Sequence, residues 1–343
     1  MSHREAATCG TTTFSELPEI TVVPAASRRR RRRPQLSTGQ ADRIRSVAFM
    51  VVGTTGEHPA PAFQQLLRGV TDAARDARLS LTLSFVSDPA QVPAHLAARR
   101  LDGVLLHGEK PTHALEKYLQ NTPCVWLMAN RHRPGFGDQI MPNNTGIGVM
   151  AAQYLLGRGH RRLAYLSCGQ GSWFMGVRWL TFAAAAADAG ASAVSIEETE
   201  ERCQDLWQQD RVAAAADRLV RRLLEQRPMP TGLFVAEDRL LPVIDAAMVR
   251  HGSDLGALSG LDVVSCNNER PHLMGLRVAP ATIDIHVESI GRRAVEQLIW
   301  RMRNGLGPER VRMMIEPTLV PPHRPQVDQT FPAVCDVPAS VIG

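Results

Sequence analysis

Lysine is almost missing from this chain. Lys110 and Lys117 are the only two in 343 residues, so nearly all of the 39 basic side chains are arginines. That bias reads as base composition and is given no function. No run of about 18 apolar residues occurs, which argues against a membrane-spanning helix. The first residues show no apolar stretch behind a basic start, the mark of a secretory leader. A cytoplasmic chain without membrane contact is therefore expected. The six cysteines stand at 9, 124, 168, 203, 266 and 335, with no CxxC pair and no histidine at zinc spacing. Such scatter fits a reducing compartment, with thiols filling core space and no bound metal.

Catalytic signatures are also missing. There is no P-loop, no G-x-S-x-G and no H-E-x-x-H. Gly146-Ile-Gly148-Val-Met-Ala151 formally matches G-x-G-x-x-A. Asn143-Asn144 precedes it, though, where a dinucleotide fingerprint needs an apolar strand. His107, His132 and His160 lack paired metal spacing. Glu197-Glu198 and Glu200-Glu201 read as a solvated acidic face. With no nucleophile–base set, an enzyme is not expected, nor is a cofactor.

What is present divides the chain. Residues 1–46 carry nine basic and four acidic side chains, a surplus equal to the whole net charge of +5. They show no period of 3.6 or 2, and Arg28, Arg29, Arg30, Arg31, Arg32 and Arg33 repel one another, so a disordered basic arm is expected. Three readings of that run stay open: phosphate neutralisation on nucleic acid, a solvated tail, or an over-extended reading frame.

From residue 47 a different pattern begins. Val47-Ala-Phe-Met-Val-Val52 is a continuous apolar run, as in a strand buried on both faces. Helical periodicity follows at 62–78, then a strand at 81–86, a helix at 90–100, a strand at 103–107, a helix at 114–121 and a strand at 124–128. A second series has helices at 146–158, 178–189, 213–225 and 240–251 between strands at 163–167, 194–196, 232–235 and 261–265. This alternation predicts βαβ units and parallel sheets. The fold class is α/β, two Rossmann-like parallel-sheet subdomains. A ligand cleft is expected between them, beyond the carboxyl ends of the strands.

Several segments resemble one family, the LacI/GalR regulators. Asn144-Thr-Gly146-Ile-Gly-Val-Met-Ala-Ala152, then Tyr154-Leu-Leu-Gly-Arg-Gly-His160-Arg-Arg-Leu-Ala-Tyr-Leu166, is similar to its D/N-N-x-x-G … L-x-x-x-G-H-R-R-I-A-x-L stretch. Arg178-Trp-Leu-Thr-Phe182 resembles R-x-x-G-F, with Thr181 replacing Gly. Leu233-Phe-Val-Ala-Glu-Asp238 resembles the strand ending in A-x-N-D. Asp262-Val-Val-Ser-Cys-Asn-Asn268 resembles D-V-S-V-V-G-F-D-D, with both acids read as replaced by Asn. Thr282-Ile-Asp284 and Glu288-Ser-Ile-Gly291 … Leu298 resemble the late T-I … I-G-x-x-A-x-x-L segment.

The resemblance implies a periplasmic-binding-protein-like fold with three crossovers. Its N-subdomain would be 47–142 with 272–304, its C-subdomain 143–271 with 305–326, and 327–343 a tail. It implies a homodimeric transcription regulator that binds DNA and senses a sugar or related small metabolite. The family's helix-turn-helix pattern is not found in residues 1–46. A stand-alone sensor without DNA binding is therefore the second reading.

The resemblance also points to effector contacts. Arg178 is a five-donor fork for hydroxyls or an anion, or else a surface residue at a helix start. Asp238 accepts two hydroxyls, or caps the helix from 240. Asn267 takes part in the site or serves a turn. Thr54, Thr55 and His58, after the first strand, and Asn130 would line the cleft or belong to loops. Trp173 and Phe174 stack on a sugar ring, or pack in the core.

Overall fold

The computed structural model describes residues 45–53, 61–97, 101–128, 135–169, 172–198, 209–255, 260–277 and 279–322. The first series runs β1 (Ser46–Val52), α1 (Pro61–Asp76), β2 (Ser80–Val86), α2 (Ala94–Ala97), β3 (Gly103–Gly108), α3 (His113–Gln120), β4 (Cys124–Leu127) and β5 (Asp138–Pro142). The second runs α4 (Asn144–Gly157), β6 (Arg162–Ser167), α5 (Trp173–Asp188), β7 (Ser192–Glu197), α6 (Gln209–Leu224), β8 (Gly232–Val235), α7 (Leu241–Arg250), β9 (Asp262–Cys266), α8 (Arg270–Leu273) and β10 (Ala281–Asp284). The chain then returns through α9 (Val287–Asn304), β11 (Arg312–Ile315) and β12 (Thr318–Val320).

Two six-stranded sheets result, ordered β11-β5-β4-β3-β1-β2 and β12-β10-β9-β8-β6-β7. Every pairing is parallel except β10 with β12. The expected α/β class with two parallel sheets is what the chain adopts. Sheet membership corrects the expected crossovers. β10 pairs with β9, so the second crossover follows Asp284 and does not fall at 272. β11 pairs with β5, so the third lies between Ile315 and Thr318 and not at 305. Strands of only four and three residues carry too little periodicity to have shown this in the sequence.

Alternation explains the apolar runs. Phe49 and Val51 of β1 join the core that includes Leu66 and Val70 of α1 and Ile290 and Val295 of α9. Ala48, Met50 and Val52 face the other way, with Leu115 and Leu119 of α3. β6 repeats the pattern: Tyr165 lies with Phe182 of α5, whereas Ala164 and Leu166 lie with Leu219 of α6 and Ile244 of α7. A strand covered on both faces has no reason to be polar at alternate positions.

Two local expectations need correction. The helix expected at 90–100 is described only at Ala94–Ala97. Asp88 turns the chain ahead of it, accepting the Ala90 N–H at 2.8 Å, and Pro93 bars the residue before it from helical geometry. α5 begins at Trp173, five residues before the expected start at 178, with Ser172 at its N-cap position. No helix among the described residues is long and apolar enough to cross a membrane.

Candidate functional site

The polar residues of interest gather where β6, β8 and β9 end. Arg178 stands in the second turn of α5, its side chain 2% exposed. Its Nε–H donates to Oδ1 of Asn144 at 3.0 Å, and Nη1 donates to the carbonyl of Ala236 at 2.7 Å. The guanidinium lies 5.3 Å from the Phe174 ring centre, one helical turn back. The surface reading of Arg178 is thereby excluded. It ties the start of α4 to the end of β8, and Nη2 has no hydrogen bond among the described residues.

Asp238 is fully buried. Its carboxylate accepts from Ser265 Oγ, from Thr282 Oγ1 at 2.9 Å and from the Glu269 N–H at 2.7 Å. It therefore does not cap the helix that follows it, and no side chain caps either the 3-10 turn Asp238–Leu240 or α7. Instead it straps the ends of β8, β9 and β10 together. Burial pushes its pKa up to about 6, although those three hydrogen bonds oppose the rise.

Asn267 follows β9 with φ 110°, and Asn268 has φ 56°. Asn tolerates positive φ better than most residues, which accounts for the pair in this turn. The Asn267 N–H extends the ladder to the Ile283 carbonyl at 2.9 Å. Its side-chain amide makes no hydrogen bond among the described residues. Asn268 is held by Asp284, at 3.0 Å from Nδ2. Trp173 is 42% exposed at the start of α5, whereas Phe174 is partly buried against the core. Thr54, Thr55, His58, Asn130 and Arg28 to Arg33 lie outside the described residues.

Sequence reading missed the acids that set the charge here. Glu237 pairs with Arg239, its Oε2 lying 2.6 Å from Nη2. Glu269 is 2% exposed. Its Oε1 accepts the Ala62 N–H at 3.0 Å, and its buried Oε2 has no hydrogen-bond partner among the described residues. Burial first and then the Glu237 charge push the Glu269 pKa up to about 7. The signal was available: counted without a gap from Asp262, the first of the two acids in D-V-S-V-V-G-F-D-D falls on Glu269 and not on an Asn. Burial pushes the Cys266 thiol up to about 12; nearby Arg178 opposes the rise, while Asp238, Glu237 and Glu269 add to it. These charges thus surround one strand end. Among the described residues no His, Cys, Asp or Glu group could hold a metal ion.

A buried fork of donors, together with an acceptor and an amide that have no partner among the described residues, suits a small polar molecule in a protein-lined site.

Residues 152–322 match the family model of the periplasmic binding protein-like domain. No curated protein sequence matches the chain. Solved structures do. A complex of the transcriptional regulator CelR with cellobiose is 20% identical, with TM-score 0.63, covering 81% of this chain and 84% of that one. A LacI family transcriptional regulator from Mycobacterium smegmatis is 20% identical, with TM-score 0.61, covering 80% and 98%. A LacI family regulator from Enterococcus faecium with bound ribose is 15% identical, with TM-score 0.63, covering 81% and 100%. The fold is that of LacI-type regulators across most of the chain.

Proposed function

From the premise of a periplasmic binding protein-like domain over residues 152–322, we propose that this chain is the effector-sensing part of a LacI-type transcription regulator. The effector is a sugar or a related polyhydroxyl metabolite. The observation that carries this reading is the strand-end cluster of the buried Arg178 fork, Asn267 and Glu269, whose Oε2 has no hydrogen-bond partner among the described residues. A polyol supplies both the donors for Glu269 and the acceptors for Arg178. Two relatives of the same fold are complexes with cellobiose and ribose, which supports a sugar here.

In this reading Asp238 stands behind the contact residues and fixes the strand ends that present them. Trp173 and Phe174 offer ring faces to the sugar. Contacts from Thr54, Thr55, His58 and Asn130 belong to the same proposal, although these residues lie outside the described ones. The protein acts in the cytoplasm as a homodimer, and effector binding changes how its N-terminal segments meet DNA. That change is limited to the effector's differential affinity for the two states.

A stand-alone sensor is the second reading, because residues 1–46 carry no helix-turn-helix pattern.

Two experiments test these readings. A thermal-shift panel of pentoses, hexoses and disaccharides, ribose and cellobiose among them, should show one or a few sugars raising Tm in a concentration-dependent way. No shift from any sugar up to millimolar levels would sink the sugar reading. Titration against random and gene-proximal duplex DNA at two salt concentrations separates the regulator from the sensor. Fragment-selective binding supports the regulator. Weak binding that disappears with salt leaves only a polycationic arm.

A further inference from the structure

One hydrogen bond spans the two sheets away from the crossovers among the described residues. The Ala62 N–H, in the first turn of α1, donates to Glu269 Oε1 at 3.0 Å, joining positions 207 residues apart. α1 packs with the first sheet, and Glu269 follows β9 of the second. The same carboxyl group is almost fully buried, with Oε2 unmatched. An ionised carboxylate so placed loses hydration on one oxygen and recovers nothing for it.

We propose that Glu269 is a proton-controlled latch between the two halves of the cleft: its neutral form holds them together at the start of α1, and its ionisation releases them.

The charges facing Glu269 define the balance. Glu237 and Asp238 come from the end of β8 and disfavour the anion, whereas Arg239 favours it but is already paired to Glu237. Arg270 and His272 follow on α8, and burial, then Arg239, hold the pKa of His272 down. α1 brings no acid in its first turn. Its N-terminal dipole and the Ala62 N–H favour the anion. Burial and the two carboxylates outweigh them, since the net pKa stands at about 7. A proton removes the repulsion from Glu237 and Asp238 and the cost of a buried, unmatched negative charge. When the halves separate, water reaches Glu269 and its pKa falls toward the usual carboxylate value of about 4.3.

The sign follows from the closed state having the higher pKa. Closure takes up a proton. It is fully favoured below the open-state value and is progressively lost as pH rises toward about 7. The closed-to-open ratio changes by at most about tenfold per pH unit across that window.

The latch rests on the reading that the cleft opens and closes around an effector. Its test contains no effector, so a negative sugar panel and a failed latch are separate results. The full chain is followed by small-angle scattering and by hydrogen exchange at the Ala62 amide, corrected for intrinsic pH dependence, from pH 4.5 to 8.5. The expected result is a growing radius of gyration and falling Ala62 protection as pH rises. Glu269→Gln, neutral at every pH, should stay compact with a flat profile. Glu237→Gln should move the midpoint to lower pH. A pH-insensitive wild type overturns the latch, as does a Glu269→Gln protein with the wild-type profile. Should Glu269→Gln fail to fold, an unmoved midpoint in Glu237→Gln overturns it instead.

Discussion

Gly148 of α4 and Thr181 of α5 meet so closely that a Cβ built on the glycine would overlap Thr181 Oγ1 and the carbonyl of Arg178. Thr181 departs from the glycine of the R-x-x-G-F pattern. Its hydroxyl is returned to its own helix, donating to the Val177 carbonyl at 2.9 Å. The absent side chain at Gly148 is what lets the two helices approach and carries Arg178 to the strand ends. Alanine for glycine within a helix ordinarily gains up to about 1 kcal/mol. Here Gly148→Ala should instead lower stability by about 1–3 kcal/mol, the usual penalty of overpacking. Urea unfolding checks the sign. Adding Thr181→Ala should restore only part of the loss, because the Arg178 carbonyl remains in place.

Replacing Arg178 separates charge from fork geometry. Lysine keeps the charge but has no planar fork to reach both Asn144 and Ala236. Arg178→Lys should weaken binding of any sugar found in the panel by at least about tenfold, at a cost in stability of about 1–3 kcal/mol. Calorimetric titration with wild-type affinity would remove Arg178 from the site.

Asp238 gives a pH-dependent stability of known sign. Its pKa of about 6 in the folded chain exceeds the unfolded value of about 3.9. Its contribution is therefore fully present below pH 4 and is lost as pH rises toward 6. Asp238→Asn should flatten that interval. The amide keeps an acceptor for the Glu269 N–H, and the Ser265 and Thr282 hydroxyls can rotate to accept. At pH 7 the variant should be more stable by about 1–3 kcal/mol, the value of one to two pK units. Chemical denaturation at pH 4, 5, 6 and 7 measures this.

The ion pair of Asp138 with Arg301 should behave oppositely. Arg301 Nη2 lies 2.7 Å from Asp138 Oδ1, and both side chains are buried. Burial pushes the Asp138 pKa up, but hydrogen bonds from Arg301, the Val311 N–H and Gln297 outweigh it and hold the pKa below the usual carboxylate value. That stability is present above the unfolded pKa of about 3.9 and is lost as pH falls through the folded value. Arg301→Met strands a buried carboxylate and should cost about 3–5 kcal/mol. The double variant with Asp138→Asn should recover much of it, and a double variant as unstable as the single one would contradict this account.

The legible part of the fold was its periodicity. Val47-Ala-Phe-Met-Val-Val52 reads as a doubly buried strand, because burial on both faces leaves no other composition. The return of the chain into both sheets was not legible. β10, β11 and β12 are too short for a period, and their partners lie far away in sequence. In the site, Arg178 could be named from the helix motif around it, and Asn267 was found two residues from the acid that matters more. Glu269 was passed over because the two acids of the motif were laid on Asn267-Asn268, whereas an ungapped count from Asp262 puts the first on Glu269.

The sequence by itself determined the class of fold, the basic surplus of residues 1–46 and the strand ends where polar residues collect. These follow from local pattern and from charge, which need no partner. Only the tertiary structure decided what each polar group does. It made Asp238 a strap between three strands, buried Arg178 between α4 and β8, and brought Glu269 against a helix 207 residues away. Burial and charge proximity are properties of neighbours in space, and the pKa of a carboxylate is set by those neighbours rather than by its place along the chain.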